Sequence, residues 1–330
     1  MIPCFYVPGG GDRPASRQTI YADGSADEHF REGVDLELSH WLPNRTPIPY
    51  KADTSTEICL RFVDAPLPGD WDLAVNNHLD VDGVLSVYAL VHSDRALAHR
   101  DTLIGAARMG DFWDWAPLPA QVLFQGLVNF QHAHPWGSIG LMDLYTRCFT
   151  RINQLLAADP EAVPDARPGI DALARGCERA AALRKPIHDR FVHYPLERLE
   201  PVPDFNAPLD PTLAVPVQAR NRYDRERIQL LSAPVAGGWA YELWYPGYRW
   251  AETPDSWAAP GFTFTGSTNG YRYDHAPLEV AVAALDGTWH RAEELTPFKA
   301  APGRNYPVIL YNEGTAHPPD EVVAILAAAF

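Results

Sequence analysis

The sequence predicts an α+β protein in which an α/β part, a sheet flanked by helices, precedes a mostly β part. Over roughly the first 190 of 330 residues, apolar side chains recur at helical spacing in several long segments. Afterwards, short aromatic-rich stretches alternate with Gly, Pro and Asn. The Pro-rich stretch 199–212 lies between the two textures. We therefore predict a domain over 1–198 that carries a metal site and a β-rich substrate-binding or accessory domain over 199–330.

The elements of the first part follow in order. The first fifty residues are rich in turn formers and predict loops with short extended pieces. The runs 58–63 and 72–77 are β-favouring and predict strands, and a helix is predicted over 83–92. Helical spacing then recurs in four segments, which are 95–109, 119–133, 140–157 and 170–185.

The second part is predicted from alternating and aromatic-rich runs bounded by turn residues. The predicted strands are DRFVHYPL, RIQLLSA, GGWAYELWYPGYRW, GFTFTG, GYRYDH, LEVAVAAL and YPVILYN. A terminal helix is predicted from PPDEVVAILAAAF.

Composition and charge exclude several classes of protein. Lys+Arg number 27 against 42 Asp+Glu, and the formal charge of -15 argues against a nucleic-acid surface. The four cysteines form no C-x-x-C pair, which indicates reduced thiols. Neither a signal-peptide core nor a membrane-length apolar run occurs. We expect a cytoplasmic protein with a small-molecule substrate and no membrane or nucleic-acid partner; a homodimer stays open.

Two carboxylates follow the predicted strand 72–77. Asp80 and Asp82 precede Gly83 and a helix, which places them at the carboxyl edge of a sheet, where open α/β sheets bind ligands. With His78 they can converge on divalent ions, because buried negative charge without a cation is costly. Gly83 is expected to let the backbone turn tightly into the helix. Alternatively, the aspartates cap the helix and His78 forms an ordinary hydrogen bond.

The run NNHLDVDGVLSVYAL (76–90) resembles the first motif of the DHH-type phosphoesterases, an Asp-x-Asp-Gly loop between a strand and a helix with a small polar residue, here Ser86. The resemblance implies Asp80 and Asp82 as ligands of two Mn²⁺-like ions, with His78 nearby. It also implies a water that attacks a phosphoester or phosphoanhydride. No Asp-His-His triplet occurs in the chain, so further ligands must lie elsewhere. The whole chain resembles an uncharacterised bacterial protein family.

Histidines and acids further along the chain are candidates for the remaining ligands. Five of the twelve histidines fall between residues 78 and 134 and alternate with Asp, which is dense for a purely structural role. Each alone is more often an ordinary polar residue. The predicted metal ligands are His78, Asp80, Asp82, Asp111, His132 and His134, and the predicted catalytic residues are His78, His99 and Asp111.

Two polar regions are candidates for contacting the substrate. The loop-rich stretch 37–57 precedes a predicted strand, and functional side chains concentrate on such loops. A polar turn in which Asp53 or Thr54 accepts hydrogen bonds from backbone N–H groups explains this stretch equally well. Arginines in the β part lie near Tyr, Asn and Asp, where they clamp an anion or remain solvated at a sheet edge. The predicted substrate-binding residues are His40, Asn44, Lys51, Asp53, Arg220, Arg222 and Arg272.

These patterns lead to three functional hypotheses. The first is a hydrolase of a small phosphoester or phosphoanhydride that uses Mn²⁺ or Mg²⁺ to activate water. The second is a non-haem Fe²⁺ oxygenase that uses His78, Asp80 and either His132 or His134. The third is a non-enzymatic protein whose Trp-rich β part binds a glycan or another ligand.

Overall fold

A four-stranded parallel sheet organises the first part of the chain. The computed structural model describes residues 2–9, 11–134, 137–246, 251–256, 276–285, 287–292, 300–304 and 307–330, together with the backbone of 262–264 and 271–273. The strands are β1 (Cys4–Tyr6), β2 (Gln18–Ala22), β3 (Leu36–Leu38) and β4 (Trp71–Val75), in the order β1-β4-β2-β3. Because neighbouring strands pair in parallel, their carboxyl ends meet at one edge.

Helices follow and separate these strands. They are α1 (Ser55–Asp64), α2 (Val81–Val91), α3 (Ser93–Ala98), α4 (Arg100–Asp111), α5 (Leu118–His132), α6 (Leu141–Ala157) and α7 (Arg167–Leu183), with 3-10 turns at Ile48–Tyr50 and Pro160–Ala162. α2 is buried along almost its whole length and packs against α1 and α4. Its apolar residues therefore continue the core that the strands begin.

The run 58–63 was predicted as a strand and is instead the centre of α1. Ile58, Cys59, Leu60 and Phe62 are buried on more than one side of the helix, so apolar residues follow one another without helical gaps. A short apolar run of this kind has no period that distinguishes a strand from a buried helix. The side chain of Thr54 accepts the Glu57 N–H at 3.3 Å and starts the helix, which agrees with a capping role for this polar turn.

The segment 95–109, predicted as one helix, is divided between α3 and α4. The break lies at His99, whose φ of -121° and ψ of 25° are not helical. The predicted helices at 83–92, 119–133, 140–157 and 170–185 are confirmed to within three residues at each end.

A six-stranded mixed sheet dominates the second part. Its strands are β5 (Lys185–His188), β6 (Phe191–Pro195), β7 (Ile228–Val235), β8 (Gly238–Trp244), β11 (His290–Arg291) and β12 (Val308–Thr315), in the order β11-β12-β8-β7-β6-β5. The pair β6 and β7 is parallel and the other neighbours are antiparallel. A separate pair, β9 (Phe262–Phe264) and β10 (Tyr271–Tyr273), is antiparallel.

Three helices accompany this sheet, which are α8 (Val217–Asp224), α9 (Ala276–Ala283) and the predicted terminal helix α10 (Pro319–Ala327). The run LEVAVAAL was predicted as a strand, and α9 corrects this prediction. Leu278 and Ala281 are buried at i and i+3 whereas Val280 is 75% exposed, so one helical face packs and the apparent alternation has no structural meaning.

The predicted α+β class is confirmed, with a parallel sheet in the first part and a mixed sheet in the second. Contacts divide the chain into unit 1 (Met1–Ala172, Phe205–Pro211 and Glu252–Asp255) and unit 2 (Leu173–Asp204, Thr212–Ala251 and Ser256–Phe330). The domains 1–198 and 199–330 remain a prediction. Among the described residues, no helix combines the length and apolarity needed to cross a bilayer.

Candidate metal centre

Acidic and imidazole side chains converge at the carboxyl edge of the parallel sheet in unit 1. Asp23 directly follows β2, and His40 lies two residues after β3. The segment after β4 brings His78, Asp80 and Asp82 to the same edge. The parallel arrangement therefore assembles side chains that are up to 59 positions apart in sequence.

An outer group, defined as Asp23, His78 and Asp80, lies on the more accessible side of this edge. His78 Nε2 is 2.9 Å from Asp23 Oδ2 and 2.9 Å from Asp80 Oδ2. The His78 side chain is 27% exposed and that of Asp80 18%, so solvent reaches this group. The Tyr145 hydroxyl donates to the His78 carbonyl oxygen at 2.6 Å and holds the loop in place.

An inner group, defined as Asp23, His40, Asp82 and Asp111, is buried. His40 Nε2 lies 3.5 Å from Asp23 Oδ1, 3.6 Å from Asp82 Oδ2 and 3.5 Å from Asp111 Oδ2. His40 Nδ1 lies 2.6 Å from the Asp53 carbonyl oxygen, which can only accept a hydrogen bond. Nδ1 therefore carries a proton, and Nε2 faces the carboxylates.

Asp23 belongs to both groups. Its Oδ1 faces the inner group and its Oδ2 faces the outer group, so this carboxylate could serve as a ligand in either group. The indole N–H of Trp41 donates to Oδ1 at 2.9 Å and the Ser55 hydroxyl does so at 2.8 Å. These donors orient the carboxylate and leave Oδ2 directed toward the accessible side.

Asp82 connects the metal centre to the start of α1. Its Oδ2 accepts the Ser55 N–H at 2.7 Å and its Oδ1 accepts the Thr56 N–H at 2.8 Å. The first N–H groups of a helix have no partner within the helix, so a carboxylate there is held by both hydrogen bonds and the helix dipole. A carboxylate offers about four lone pairs, so Asp82 keeps acceptor capacity for a cation.

Gly83 allows the loop to pack closely. Its N–H donates to Asp80 Oδ1 at 2.7 Å, which makes Asp80 the N-cap of α2. A Cβ at this position would lie 2.4 Å from Asn76 Nδ2 and 3.1 Å from Asp23 Oδ2. The glycine is therefore needed for close approach inside a helix, and not for the tight turn expected from the sequence.

The electrostatics of the cluster reflect several carboxylates in a small buried volume. Burial and then Asp23 raise the pKa of Asp82 to about 6, and burial with Asp82 and Asp80 raises the pKa of Asp111 well above its ordinary value. Burial disfavours the charged form of His78, but Asp80 and Asp23 outweigh it and raise the pKa of His78. Burial likewise opposes ionisation of Asp23, yet His78 lowers its pKa below the ordinary range. So much negative charge is therefore stable in this buried volume only when protons or cations lie among the carboxylates.

The spacing of these residues is compatible with a divalent metal site. Ligands about 2.1 Å from one ion lie roughly 3.0–3.5 Å apart. The nitrogen–oxygen separations run from 2.9 to 3.6 Å, so each lies within about 0.1 Å of this range. Asp111 Oδ2 is buried 3.5 Å from His40 Nε2, which adds a third carboxyl group to the inner group. Carboxylate and imidazole ligands suit Mn²⁺, Mg²⁺ or Fe²⁺.

Four of the six predicted metal ligands, His78, Asp80, Asp82 and Asp111, lie in this cluster. His132 and His134 instead line a cavity of about 800 Å³ in unit 1, and His134 Nδ1 contacts the Phe130 carbonyl oxygen at 2.8 Å. His99 caps α4, and no described contact joins it to the cluster. Of the predicted catalytic residues, the structure thus brings together His78 and Asp111, while the roles of all three stay predictions.

The predicted substrate-binding residues are distributed between the two units. His40 lies in the inner group. The Asp53 carboxylate accepts from Arg108 at 3.1 Å and from the Asp255 N–H at 2.9 Å, and Asn44 and Lys51 contact Glu252 at 2.9 and 2.7 Å. Arg220 and Arg222 belong to α8 in unit 2, and the side chain of Arg272 lies outside the described residues. Substrate binding by these residues remains a prediction.

Sequence reasoning did not find Asp23, the residue that both groups share. The signal was weak but present: the short alternating run QTIYA directly precedes Asp23-Gly24, an acid and a glycine at the end of a β-favouring run. Trp41 and Asn76 were also not predicted. Asn76 Oδ1 accepts the His78 N–H at 2.7 Å, so this residue shapes the loop that carries the ligands.

Comparison with known proteins gives few matches. The model of a family of unknown function (DUF6687) matches residues 5–124, a segment that contains all the side chains of the metal centre. The solved structure of a pGpG-specific phosphodiesterase, PggH from Vibrio cholerae, is similar with 12% identity and a TM-score of 0.26. The alignment covers 55% of this chain and 66% of that chain, just under two thirds of its length. No curated protein matches the sequence.

Proposed function

We propose that this protein is a metal-dependent hydrolase of small phosphoesters or phosphoanhydrides. The observation that carries the proposal is the position of Asp23, which directs one carboxylate oxygen at each of two ligand groups. Two-ion sites of this kind occur in phosphatases and nucleases. Mn²⁺ or Mg²⁺ suits the carboxylate-rich donor set, and Mn²⁺ is our first choice because two imidazoles contribute.

The chain's own residues have separable roles. Asp23, His40, Asp82 and Asp111 would hold the inner ion, and Asp23, His78 and Asp80 the outer ion. Divalent ions bound in this way polarise a phosphoryl oxygen and lower the pKa of a coordinated water. The partly exposed His78 and Asp80 define the side from which substrate and water approach, while burial keeps the inner group rigid.

The donor set favours this function over the oxygenase hypothesis. That alternative requires His132 or His134 beside His78 and Asp80, and no described contact joins them. Carboxylates outnumber imidazoles in both parts of the centre, which is the composition expected for ions that bind phosphate oxygens. A non-enzymatic role remains the main competitor, and metal binding together with turnover separates it from the hydrolase.

The test compares the Asp80→Asn and Asp23→Asn variants with a matched Asp101→Asn control, since Asp101 is exposed in the first turn of α4. The wild-type chain is depleted with a chelator, reloaded with Mn²⁺ and assayed on bis(p-nitrophenyl) phosphate and inorganic pyrophosphate. We expect both site variants to lose at least about tenfold in Mn²⁺ affinity and most of the turnover. Circular dichroism verifies that the variants remain folded.

The Asp101→Asn control should behave as the wild type. Wild-type protein without stoichiometric Mn²⁺ or without turnover on either substrate would contradict the proposal. Undiminished Mn²⁺ affinity in Asp23→Asn would show that Asp23 is not a shared ligand.

A further inference from the structure

The cavity in unit 1 is lined in part by the loop that carries the proposed metal ligands. Leu79, which lines it, lies between His78 and Asp80 of the outer group. Asn206 also lines it, and its Oδ1 accepts the Val81 N–H at 3.0 Å. Pro8 and Gly9 follow β1, so the cavity and the metal centre share the carboxyl edge of the same sheet.

The wall opposite this loop is formed by the end of α5 and the start of α6. Leu144 lines the cavity, and the next residue, Tyr145, donates its hydroxyl to the His78 carbonyl oxygen at 2.6 Å. Gly137 and Gly140 expose backbone at the entry to α6, and no side chain caps this helix. The same helix therefore contacts the outer group of ligands and bounds the cavity.

The lining is neutral and mixed in polarity. Among the described residues that line the cavity, none is Asp, Glu, Lys or Arg. Apolar surface comes from Leu79, Ile139 and Phe205, and hydrogen-bonding groups come from Gln131, Ser138 and the two histidines. The described lining offers no Arg or Lys side chain to pair with a second phosphate, so an uncharged organic group suits it better than a polyphosphate. A volume of about 800 Å³ is that of a pocket for an organic molecule.

We propose that this cavity receives the organic part of the substrate, so that the substrate is a monophosphorylated organic molecule rather than inorganic pyrophosphate. The inference rests on the proposed function, because the phosphate is assigned to the metal centre. The organic part is uncharged and combines a flat or apolar face, which packs on Leu79 and Phe205, with groups that hydrogen-bond to Gln131 or Ser138.

A substitution at Gly140 tests the cavity without disturbing the metal ligands. The backbone there has φ of -66° and ψ of 146°, which any residue adopts, and an added Cβ meets nothing within 4 Å. Gly140→Phe therefore fills cavity space without backbone strain. Ser138→Trp, at an exposed lining position, is a second filling variant. Ala157→Phe in the last turn of α6, about 24 Å along the helix, is the matched control.

The full chain loaded with Mn²⁺ is titrated with phenyl phosphate and with inorganic phosphate by calorimetry. The wild type should bind phenyl phosphate at least about tenfold more tightly, because the ring is buried. Gly140→Phe and Ser138→Trp should lose this preference while inorganic phosphate binds as in the wild type, and Ala157→Phe should keep it.

Two results would overturn the inference: equal wild-type affinities for the two ligands, or an undiminished preference for phenyl phosphate in both filling variants. If inorganic phosphate itself shows no Mn²⁺-dependent binding to the wild type, the proposed function fails and the inference fails with it. Loss of the phenyl preference alone leaves the metal centre intact.

Discussion

At the residue scale, three non-glycine residues in the described part of the chain adopt a backbone conformation that such residues rarely use. Asp23, Trp113 and Asn206 have φ of 58°, 51° and 54°. Each belongs to the metal centre or its surroundings: Asp23 is the shared ligand, Trp113 follows Asp111 by two residues, and Asn206 accepts the Val81 N–H. Such strain persists where surrounding contacts over-determine the backbone, and it concentrates at functional sites.

Gly83 provides a prediction at this scale. In Gly83→Ala, the new methyl group would lie 2.4 Å from Asn76 Nδ2 and 3.0 Å from Asp80 Oδ1, so one of these side chains must move. We expect Mn²⁺ affinity to fall about tenfold and the free energy of unfolding to fall by about 1–3 kcal/mol. Calorimetric Mn²⁺ titration and urea unfolding measure the two effects.

Gly140→Ala is the matched control for this glycine, since its Cβ has open space. It should leave both quantities close to wild type. Wild-type Mn²⁺ affinity in Gly83→Ala would mean that the close packing of this loop does not position the ligands.

At the scale of elements, a buried histidine joins two strands of the six-stranded sheet. His193 of β6 is 2% exposed, and its Nε2 lies 2.8 Å from the Ser232 hydroxyl of β7. Burial, with a smaller contribution from Lys185 on β5, lowers the pKa of His193 to about 4. Unit 2 therefore holds this imidazole in its neutral form, unlike His78 in unit 1, whose pKa is raised.

The lowered pKa of His193 predicts that the stability of the protein depends on pH. Below the unfolded-state pKa near 6.5, the unfolded chain binds a proton that the folded chain does not, so stability is full above that pH and declines toward pH 4. Between pH 7.5 and pH 5 the His193 contribution should cost about 2 kcal/mol. Urea unfolding at the two pH values should show a smaller loss in His193→Gln, which retains a donor for Ser232.

His188→Gln serves as a control, because His188 is exposed on β5 of the same sheet. Its pH dependence should match the wild type. An identical pH dependence in His193→Gln and wild type would contradict the assignment of this proton to His193.

At the scale of the whole molecule, the proposed metal ligands all belong to unit 1. Ligands that bind only the folded state stabilise it, by about 2.7 kcal/mol at a concentration 100 times the dissociation constant. The stabilisation should concentrate in the elements that supply the ligands, because those elements must be in place for the ions to bind.

We therefore expect Mn²⁺ to slow amide hydrogen exchange in β2, the start of α2 and the end of α4 in unit 1. Exchange in β7 and β8 of unit 2 should change much less. Hydrogen-exchange mass spectrometry with and without Mn²⁺ measures this, and Asp23→Asn is the control that should remove the protection. Equal protection of both units, or none near Asp23, would contradict a metal centre in unit 1.

The α+β class, most of the helices and the acid-rich loop after β4 could be predicted from the amino-acid pattern, because these features depend on local periodicity and on residues close together in the chain. It located Asp80 and Asp82 through the strand, loop and helix around them. The closeness of Asp23, His40 and Asp111 could not be predicted, since parallel strand pairing and helix packing bring their elements together from distant positions in the chain. Burial by distant parts of the chain also explains why α1 and α9 are helices and not the predicted strands. Which side of a short apolar run is buried depends on neighbouring elements, and the local sequence pattern does not contain this information.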